Sequence, residues 1–376
     1  MRIAVDVSYV QKRRTGIGRY TTELLDALLT RDHGNEYILH GWSFSIDREW
    51  ILGRERPNVR HSVARIPGQI RRFYWNSLRF PPLNSFIGEF DLFHSADPLL
   101  PPVAGRRTVA TFHDIAYRRL PHLFQNSVLA WDPFVTRSAT SASAVVVPSL
   151  FTRDEVALSF GIPLEKIVHV PPPVGDVFTD RCSDGDDLVR TRYGLTFPFI
   201  LFVGTIEPRK NVVGLVRAFE LLVEGHDREH HLVLIGKMGW NYEESMRAIG
   251  TSRARSRIHQ FGYVPDDDLA SIYRLASIFV YPSLYEGHGS PVVEAMACGK
   301  AVVTSNTSAL REIAEGAAVL VDPSSHESIC KGMSTTLENA DMRTTFEKLA
   351  RERARRFSHD AAASAIMQLY DTLGTS

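Results

Sequence analysis

IFVYPSLYEGHGSPVVEAMACGKAVVT, residues 278–304, holds two apolar runs, 278–281 and 301–304, on either side of a glycine-bearing loop and a helix-length segment. Neither run alternates apolar with polar residues, so each suits a strand buried on both faces. Pro291 fits the first turn of the intervening helix and Gly299 fits its end. Strand, loop, helix and strand in this order make one parallel βαβ unit. The pattern extends both ways: similar runs fall at 3–7, 37–40, 109–112, 144–147 and 167–170, and again at 200–203, 232–235 and 319–321. Their interleaving with helical periods predicts an α/β fold of doubly wound parallel sheets.

With 376 residues, the chain is long enough for two domains of ordinary size. The boundary is expected between 170 and 197, where Pro171-Pro172-Pro173 and the polar stretch 180–187 break the alternation. That stretch reads as a linker with room for a short helix, which puts the domains at 1–175 and 190–357. After a charged helical segment at 342–357, Ser358, His359 and Asp360 offer an N-cap for a final helix through Leu373. That helix need not belong to the second domain. Lys plus Arg and Asp plus Glu each number 43, which disfavours a strongly basic nucleic-acid binder and an acidic disordered tail. Cys182, Cys298 and Cys330 share no short spacing, so neither a disulfide framework nor a cysteine zinc site is expected. No apolar leader precedes Lys12, Arg13 and Arg14, and no run of about 18 apolar residues occurs, the length a spanning helix needs. A cytoplasmic, non-spanning protein is expected.

Residues 57–88 stand apart. They carry Arg60, Arg65, Arg71, Arg72 and Arg79, no acid, and the aromatics Phe73, Tyr74, Trp75, Phe80 and Phe86. Two readings fit: a helix that buries its aromatics and turns its arginines to water, or a surface that meets anionic headgroups or a phosphate-bearing acceptor.

Three loops after predicted strands carry the candidate chemistry. Thr15-Gly16-Ile17-Gly18-Arg19-Tyr20 leads into a helical period at 20, 24, 25 and 28. Glycines there let an anion or a sugar hydroxyl approach backbone amides, and a tight turn without a ligand fits them as well. The third glycine of a dinucleotide fingerprint is missing, and no acid stands at the end of the next strand. Val203-Gly204-Thr205-Ile206-Glu207-Pro208-Arg209-Lys210-Asn211 sets a glycine turn and two cations at the carboxyl edge of a parallel sheet. Arg209 can grip phosphate oxygens in pairs and Lys210 supplies a point charge, with a solvated surface pair as the plain alternative. Glu286-Gly287-His288-Gly289-Ser290-Pro291 opens a helix whose amides can receive a diphosphate. Glu294 falls about one turn into that helix, placed to accept from a ribose diol, and Glu286 can reach a sugar hydroxyl. An ordinary helix acid and an ordinary loop acid account for each alone, less well for both around two glycines.

The spacing from Glu286 to Glu294, the tail Glu294-Ala295-Met296-Ala297 before Gly299, the Glu207–Asn211 motif near Gly204 and the early Thr15–Tyr20 loop together resemble the retaining, nucleotide-sugar-dependent glycosyltransferases of family 4. The resemblance covers nearly the whole chain. It implies a GT-B architecture: two Rossmann-like domains facing across a cleft, the first for acceptor, the second for donor, with helix 358–376 packed back on the first. By the same resemblance Glu294 holds the donor ribose, Glu286 touches the donor sugar, and Arg209 and Lys210 stabilise the diphosphate beside Gly204 and Thr205. Gly16 and Gly18 would lie against the donor from the opposite domain, and His113, in Thr111-Phe112-His113-Asp114, would contact the transferred sugar. Two departures stand out. His288-Gly289-Ser290 replaces a common Phe-Gly-Leu, keeping the amides of Gly287 to Ser290 but changing the packing and putting His288 within reach of donor or acceptor. Thr205 stands where Arg or Ser is common, offering a hydroxyl in place of one phosphate contact.

The implied reaction is hexosyl transfer with retention, by same-face attack with the leaving diphosphate helping to take the acceptor proton. No Asp-x-Asp metal pair is apparent, since Asp186-Asp187 and Asp266-Asp267-Asp268 read as polar runs, the latter a helix cap. No obligatory metal or cofactor is expected. The motif variants resemble the subgroup of bacterial polysaccharide and lipopolysaccharide assembly, often mannosyltransferases using GDP-mannose, with rhamnosyl, fucosyl, glucosyl and N-acetylhexosaminyl donors open. The acceptor would be a glycan or lipid-linked glycan, reached from the cytoplasmic membrane face. Other classes on the same architecture are an epimerase, a phosphorylase, which would need a pyridoxal-phosphate lysine, and a non-catalytic sugar-nucleotide-binding subunit.

Overall fold

The structure, a computed structural model, describes residues 1–11, 16–42, 46–64, 73–183, 185–225 and 229–375. Lys12, Arg13, Arg14, Thr15, Arg65, Arg71 and Arg72 lie outside the described residues. The chain divides into two compact units, Met1–Pro173 with His359–Ser376, and Val174–Ser358.

The first unit holds seven strands: β1 Arg2–Asp6, β2 Glu36–Trp42, β3 Val59–Ala64, β4 Leu92–Ser95, β5 Arg107–Thr111, β6 Ala144–Val147 and β7 Ile167–His169. They pair in the order β3-β2-β1-β4-β5-β6-β7, all parallel. The second unit repeats the design with β8 Phe199–Val203, β9 His231–Ile235, β10 Ile258–Phe261, β11 Ile278–Tyr281, β12 Val302–Ser305 and β13 Val319–Val321. Its order is β10-β9-β8-β11-β12-β13, again parallel. Each sheet grows from its first strand in both directions, so the order reverses once, between β1 and β4 and between β8 and β11. Every run read from the sequence forms a strand. β3, β4 and β10 are additional.

Helix Gly16–Arg31 follows β1 and buries Tyr20, Leu24, Leu25 and Leu28, the helical period read from the sequence. The last helix, His359–Thr375, packs against it and buries Ala362, Ala363, Ile366, Leu369 and Tyr370 in the same core. A hydrogen bond of 2.8 Å from His359 Nε2 to Glu23 Oε2 fastens its start.

Three expectations change. The stretch read as linker enters the second unit as helix Gly185–Arg192, because Asp186 is not solvated: Arg274 grips it at 2.6 and 2.9 Å. Asp266, Asp267 and Asp268 form the first turn of helix Asp266–Leu275 and do not precede it, and Asp268 binds Arg192 and Tyr193. Nor do residues 57–88 form one helix that hides its aromatics. They give β3, then helical turns Phe73–Leu78 and Asn84–Ile87, with Tyr74, Phe80 and Phe86 exposed. Among the described residues no helix is long and apolar enough to cross a membrane.

Candidate functional site

β8 and β11 are neighbours, with Ile200 opposite Ile278 and Leu201 opposite Phe279. The loops that leave their carboxyl ends therefore start side by side at the point where the strand order reverses, the place where open α/β sheets bind ligands. This adjacency joins Glu207–Asn211 to Glu286–Glu294 across more than seventy residues of sequence.

The first loop is held tightly. Gly204 donates to Ile235 O at 2.8 Å and Ile206 donates to Lys237 O at 2.9 Å. Gly236, at φ +150°, cannot be another residue, since a Cβ there would sit 1.9 Å from Gly204 O. Thr205 lies against the neighbouring loop, where a Cβ on Gly239 would come within 2.7 Å of its Cγ2. A short turn, Pro208–Lys210, then ends on Asn211 in the left-handed region at φ +56°, and helix Val212–Gly225 begins. Asn211 Nδ2 donates to Pro282 O and Pro323 O at 3.0 and 2.7 Å, clipping three loops together.

Glu286, 5% exposed, is the hub. Arg209 Nη1 donates to its Oε2 at 2.8 Å, while Lys210 Nζ and Tyr281 OH donate to its Oε1 at 2.5 and 3.0 Å. Glu207, which the sequence reading left without a role, holds the other side of Arg209 through Nε and Nη2 at 3.2 and 3.0 Å. Burial alone would raise Glu286, but the charges of Arg209 and Lys210 overcome it and hold the carboxyl down to about 2. Glu207 moves up, because burial outweighs the same two cations. Lys210 moves down through burial and the like charge of Arg209. Two cations and two carboxylates thus stand in one buried cluster, its charges balanced and its geometry fixed. Arg209 and Lys210 are not the solvated surface pair that their loop position alone allowed.

The second loop places the rest. Ser308, itself at φ +55°, accepts the Glu286 amide on its Oγ at 3.1 Å. Gly289, at φ +104°, leads into helix Ser290–Ala297, and a Cβ on it would strike Leu310 at 2.5 Å. Pro291 occupies the first turn, as read from the sequence. His288 packs edge-on against Phe357 with ring centres 5.4 Å apart, and its Nδ1 lies 3.4 Å from Ser290 Oγ. Glu294 is 2% exposed, and Tyr273 OH donates to its Oε2 at 3.0 Å.

A family model described as "Glycosyltransferase Family 4" matches residues 14–176, and one described as "Glycosyl transferases group 1" matches residues 190–353. Together they span most of the chain. It belongs to the family 4 glycosyltransferases. An O-antigen chain mannosyltransferase B of Escherichia coli is 29% identical over 99% of this chain and 100% of its own length. A serotype-specific mannosyltransferase of the same organism is 31% identical over 52% of this chain and 24% of its own length. A solved sucrose-phosphate synthase from Thermosynechococcus elongatus superposes with a TM-score of 0.77 at 19% identity, covering 100% of this chain and 99% of that one. That likeness shows the GT-B fold.

The remaining candidates of this glycosyltransferase lie in the first unit. Gly16 begins helix Gly16–Arg31 and is exposed, with nothing among the described residues within 4 Å of where a Cβ would stand, and Gly18 is buried one half-turn on. Packing among the described residues does not demand a glycine at position 16. His113 follows β5; its Nε2 donates to Ala96 O at 2.8 Å, and its ring meets Tyr20 edge-on at 4.9 Å. That bond leaves Nδ1 of the neutral ring as an acceptor. Burial lowers His113, against the opposing hydrogen bond to Ala96, so the neutral form is favoured.

Proposed function

We propose that this chain is a retaining, metal-independent mannosyltransferase that moves mannose from GDP-mannose to a glycan hydroxyl in bacterial cell-surface polysaccharide synthesis. The observation that carries the reading is the Glu286 carboxylate gripped by Arg209 and Lys210 at the switch point of the second sheet, beside buried Glu294 on the helix that follows. The name of the full-length relative, an O-antigen chain mannosyltransferase, supports the sugar and the setting.

Breaking a glycosyl–phosphate bond develops positive character on the sugar and extra negative charge on the departing diphosphate. Arg209, Lys210 and the amides of the loop at Gly287–Ser290 answer the second charge without a metal. Thr205 adds a hydroxyl in the same turn. Glu286, ionised and fixed by its cations, accepts from a donor-sugar hydroxyl, and Glu294 accepts from the ribose diol. His113 Nδ1 accepts from the transferred sugar. Gly16 and Gly18 leave room for the donor at the helix start. The second unit takes the donor, and the first takes the acceptor. Exposed Tyr74, Leu78, Phe80 and Phe86, with Arg60 and Arg79 nearby in sequence, would rest on the anionic inner face of the membrane.

A thermal-shift panel of nucleotide diphosphate sugars on wild type and Glu294→Ala tests the donor site, since a ligand that binds the folded state raises its melting temperature. Stabilisation by GDP-mannose, abolished by Glu294→Ala, is the expected result. The anomeric configuration of the first-formed product by proton NMR tests retention, and unchanged turnover in EDTA tests metal independence. Co-sedimentation with anionic vesicles, weakened by Phe80→Ser, tests the membrane contact.

A further inference from the structure

Glu207 stands in the buried cluster, 2% exposed, and has no task in the transfer proposed above. Its two oxygens are unlike. Oε1 accepts from both Nε and Nη2 of Arg209, at 3.2 and 3.0 Å, and Oε2 accepts no hydrogen bond among the described residues. In Glu286 both oxygens are taken, Oε2 by Arg209 and Oε1 by Lys210 and Tyr281. A proton on Glu286 would therefore displace one of its donors, whereas a proton on Oε2 of Glu207 leaves both bonds to Arg209 in place.

The charges that reach Glu207 come from its own turn and from one neighbouring loop. Arg209 and Lys210 follow it in the turn, and Glu286 faces it from the loop after β11. The loop after β9 meets it at Gly239, where a Cβ would stand 3.2 Å from that of Glu207, and brings no charge to that contact. Burial raises the Glu207 carboxyl, Glu286 adds to the rise, and the two cations offset only part of it. Two cations already meet two carboxylates in this cluster. A nucleoside diphosphate sugar carries two further negative charges, fixed across the neutral range because both of its phosphates are esterified. Set beside Arg209 and Lys210, it turns a balanced cluster into one with two negative charges in excess, in a buried setting where like charges repel strongly. One proton removes half of that excess.

We propose that Glu207 is a positioning residue that aims Arg209 through Oε1 and takes a proton from solvent on Oε2 as the nucleotide sugar binds. The proposal rests on the diphosphate-binding role given above to Arg209 and Lys210. The complex then holds one proton more than the free protein. Affinity is highest at low pH, falls as pH rises past the range of the free carboxyl, and levels off where the carboxyl ionises in the complex as well.

Calorimetric titration of the full-length protein with GDP-mannose, in buffers of different ionisation enthalpy, counts the proton. Wild type should show net uptake of up to about one proton per ligand, with Kd rising by up to about tenfold per pH unit between about pH 5 and 8. Glu207→Gln keeps an oxygen for Arg209 and cannot ionise. Its uptake should vanish, its Kd should be flat over the same range, and at the alkaline end it should bind more tightly than wild type, whereas a variant that is merely damaged binds more weakly throughout. Difference infrared spectra of wild type should gain a protonated-carboxyl band on binding, a readout that needs no variant. GDP-mannose binding without proton uptake or without that band, uptake that survives in Glu207→Gln as a proton on Lys210 would, or weaker binding by Glu207→Gln at the alkaline end would each overturn the proposal and leave the donor site standing. Absence of binding by GDP-mannose and every other nucleotide sugar, at any pH, would remove the donor site and the proposal together.

Discussion

Glu286 and Glu294 sit eight residues apart and do different physical work. Glu286 balances buried cations, so Glu286→Gln removes one of the two carboxylates that face Arg209 and Lys210 and should cost about 3–5 kcal/mol of unfolding free energy. Urea denaturation reads that loss, and turnover should fall with it. Glu294→Gln keeps an acceptor for Tyr273 OH, so its stability should stay within about 1 kcal/mol of wild type while stabilisation by GDP-mannose disappears. The pH dependence separates the two further. Glu286 is held at about 2 against an ordinary 4.5, so its ionised form stabilises the fold fully above pH 4.5, and that contribution is lost as pH falls toward 2. The acid leg of the stability curve should be shallower in Glu286→Gln. The two glycines of interest also divide. Gly289→Ala forces a side chain into the left-handed region and onto Leu310, so it should destabilise by more than about 1 kcal/mol. Gly16→Ala should leave the melting temperature unchanged and raise the donor KM. Both acids were visible in the sequence because their loop chemistry is local. Glu207, Tyr273 and Tyr281 were not assigned, because their partners lie across strand pairings that no spacing reveals.

The strands that sequence reading passed over share a cause. β3 and β10 are edge strands, half covered, and carry Arg60, His61, His259 and Gln260 where an interior strand is apolar. β4 is central but brings His94 and Ser95 into the core, which is tolerable only because both are hydrogen-bonded. His94 Nδ1 shares a 2.6 Å bond with Tyr370 OH, and Nε2 shares one of 3.0 Å with Thr111 Oγ1. The last helix is thus joined to β4 by a polar contact as well as by its apolar face. Tyr370→Phe should cost about 1–3 kcal/mol, since it leaves a buried ring nitrogen without its partner. Burial, with the nearby His113 adding to it, lowers His94 from 6.5 to about 3. The neutral ring therefore stabilises the fold fully above pH 6.5, and that contribution is lost as pH falls toward 3. Guanidinium titrations between pH 7.5 and pH 4.5 should show this slope in wild type and a smaller one in His94→Gln.

The chain crosses between its two units twice, after Pro173 and after Ser358, and the consequences for the two are unequal. Val174–Ser358 is continuous and contains every part of the cluster proposed to hold the donor, from Gly204 through Glu207 and Arg209 to Glu286 and Glu294. Met1–Pro173 is incomplete. Its core includes Ile366, Leu369 and Tyr370 from the far end of the chain, and burying three such side chains is worth roughly 5–9 kcal/mol as an upper figure. That equals much or all of the roughly 5–15 kcal/mol by which a domain is stable. The fragment 174–358 should therefore melt cooperatively by circular dichroism and still gain stability from GDP-mannose in a manner that Glu294→Ala abolishes, with no transfer. The fragment 1–173 should lack a cooperative melt, and joining 359–376 to it through a flexible Gly/Ser linker should restore one. A cooperative melt of 1–173 alone would mean that the final helix covers a surface already stable without it, and the apolar contacts of Ile366 and Leu369 would then be docking contacts and not part of the core.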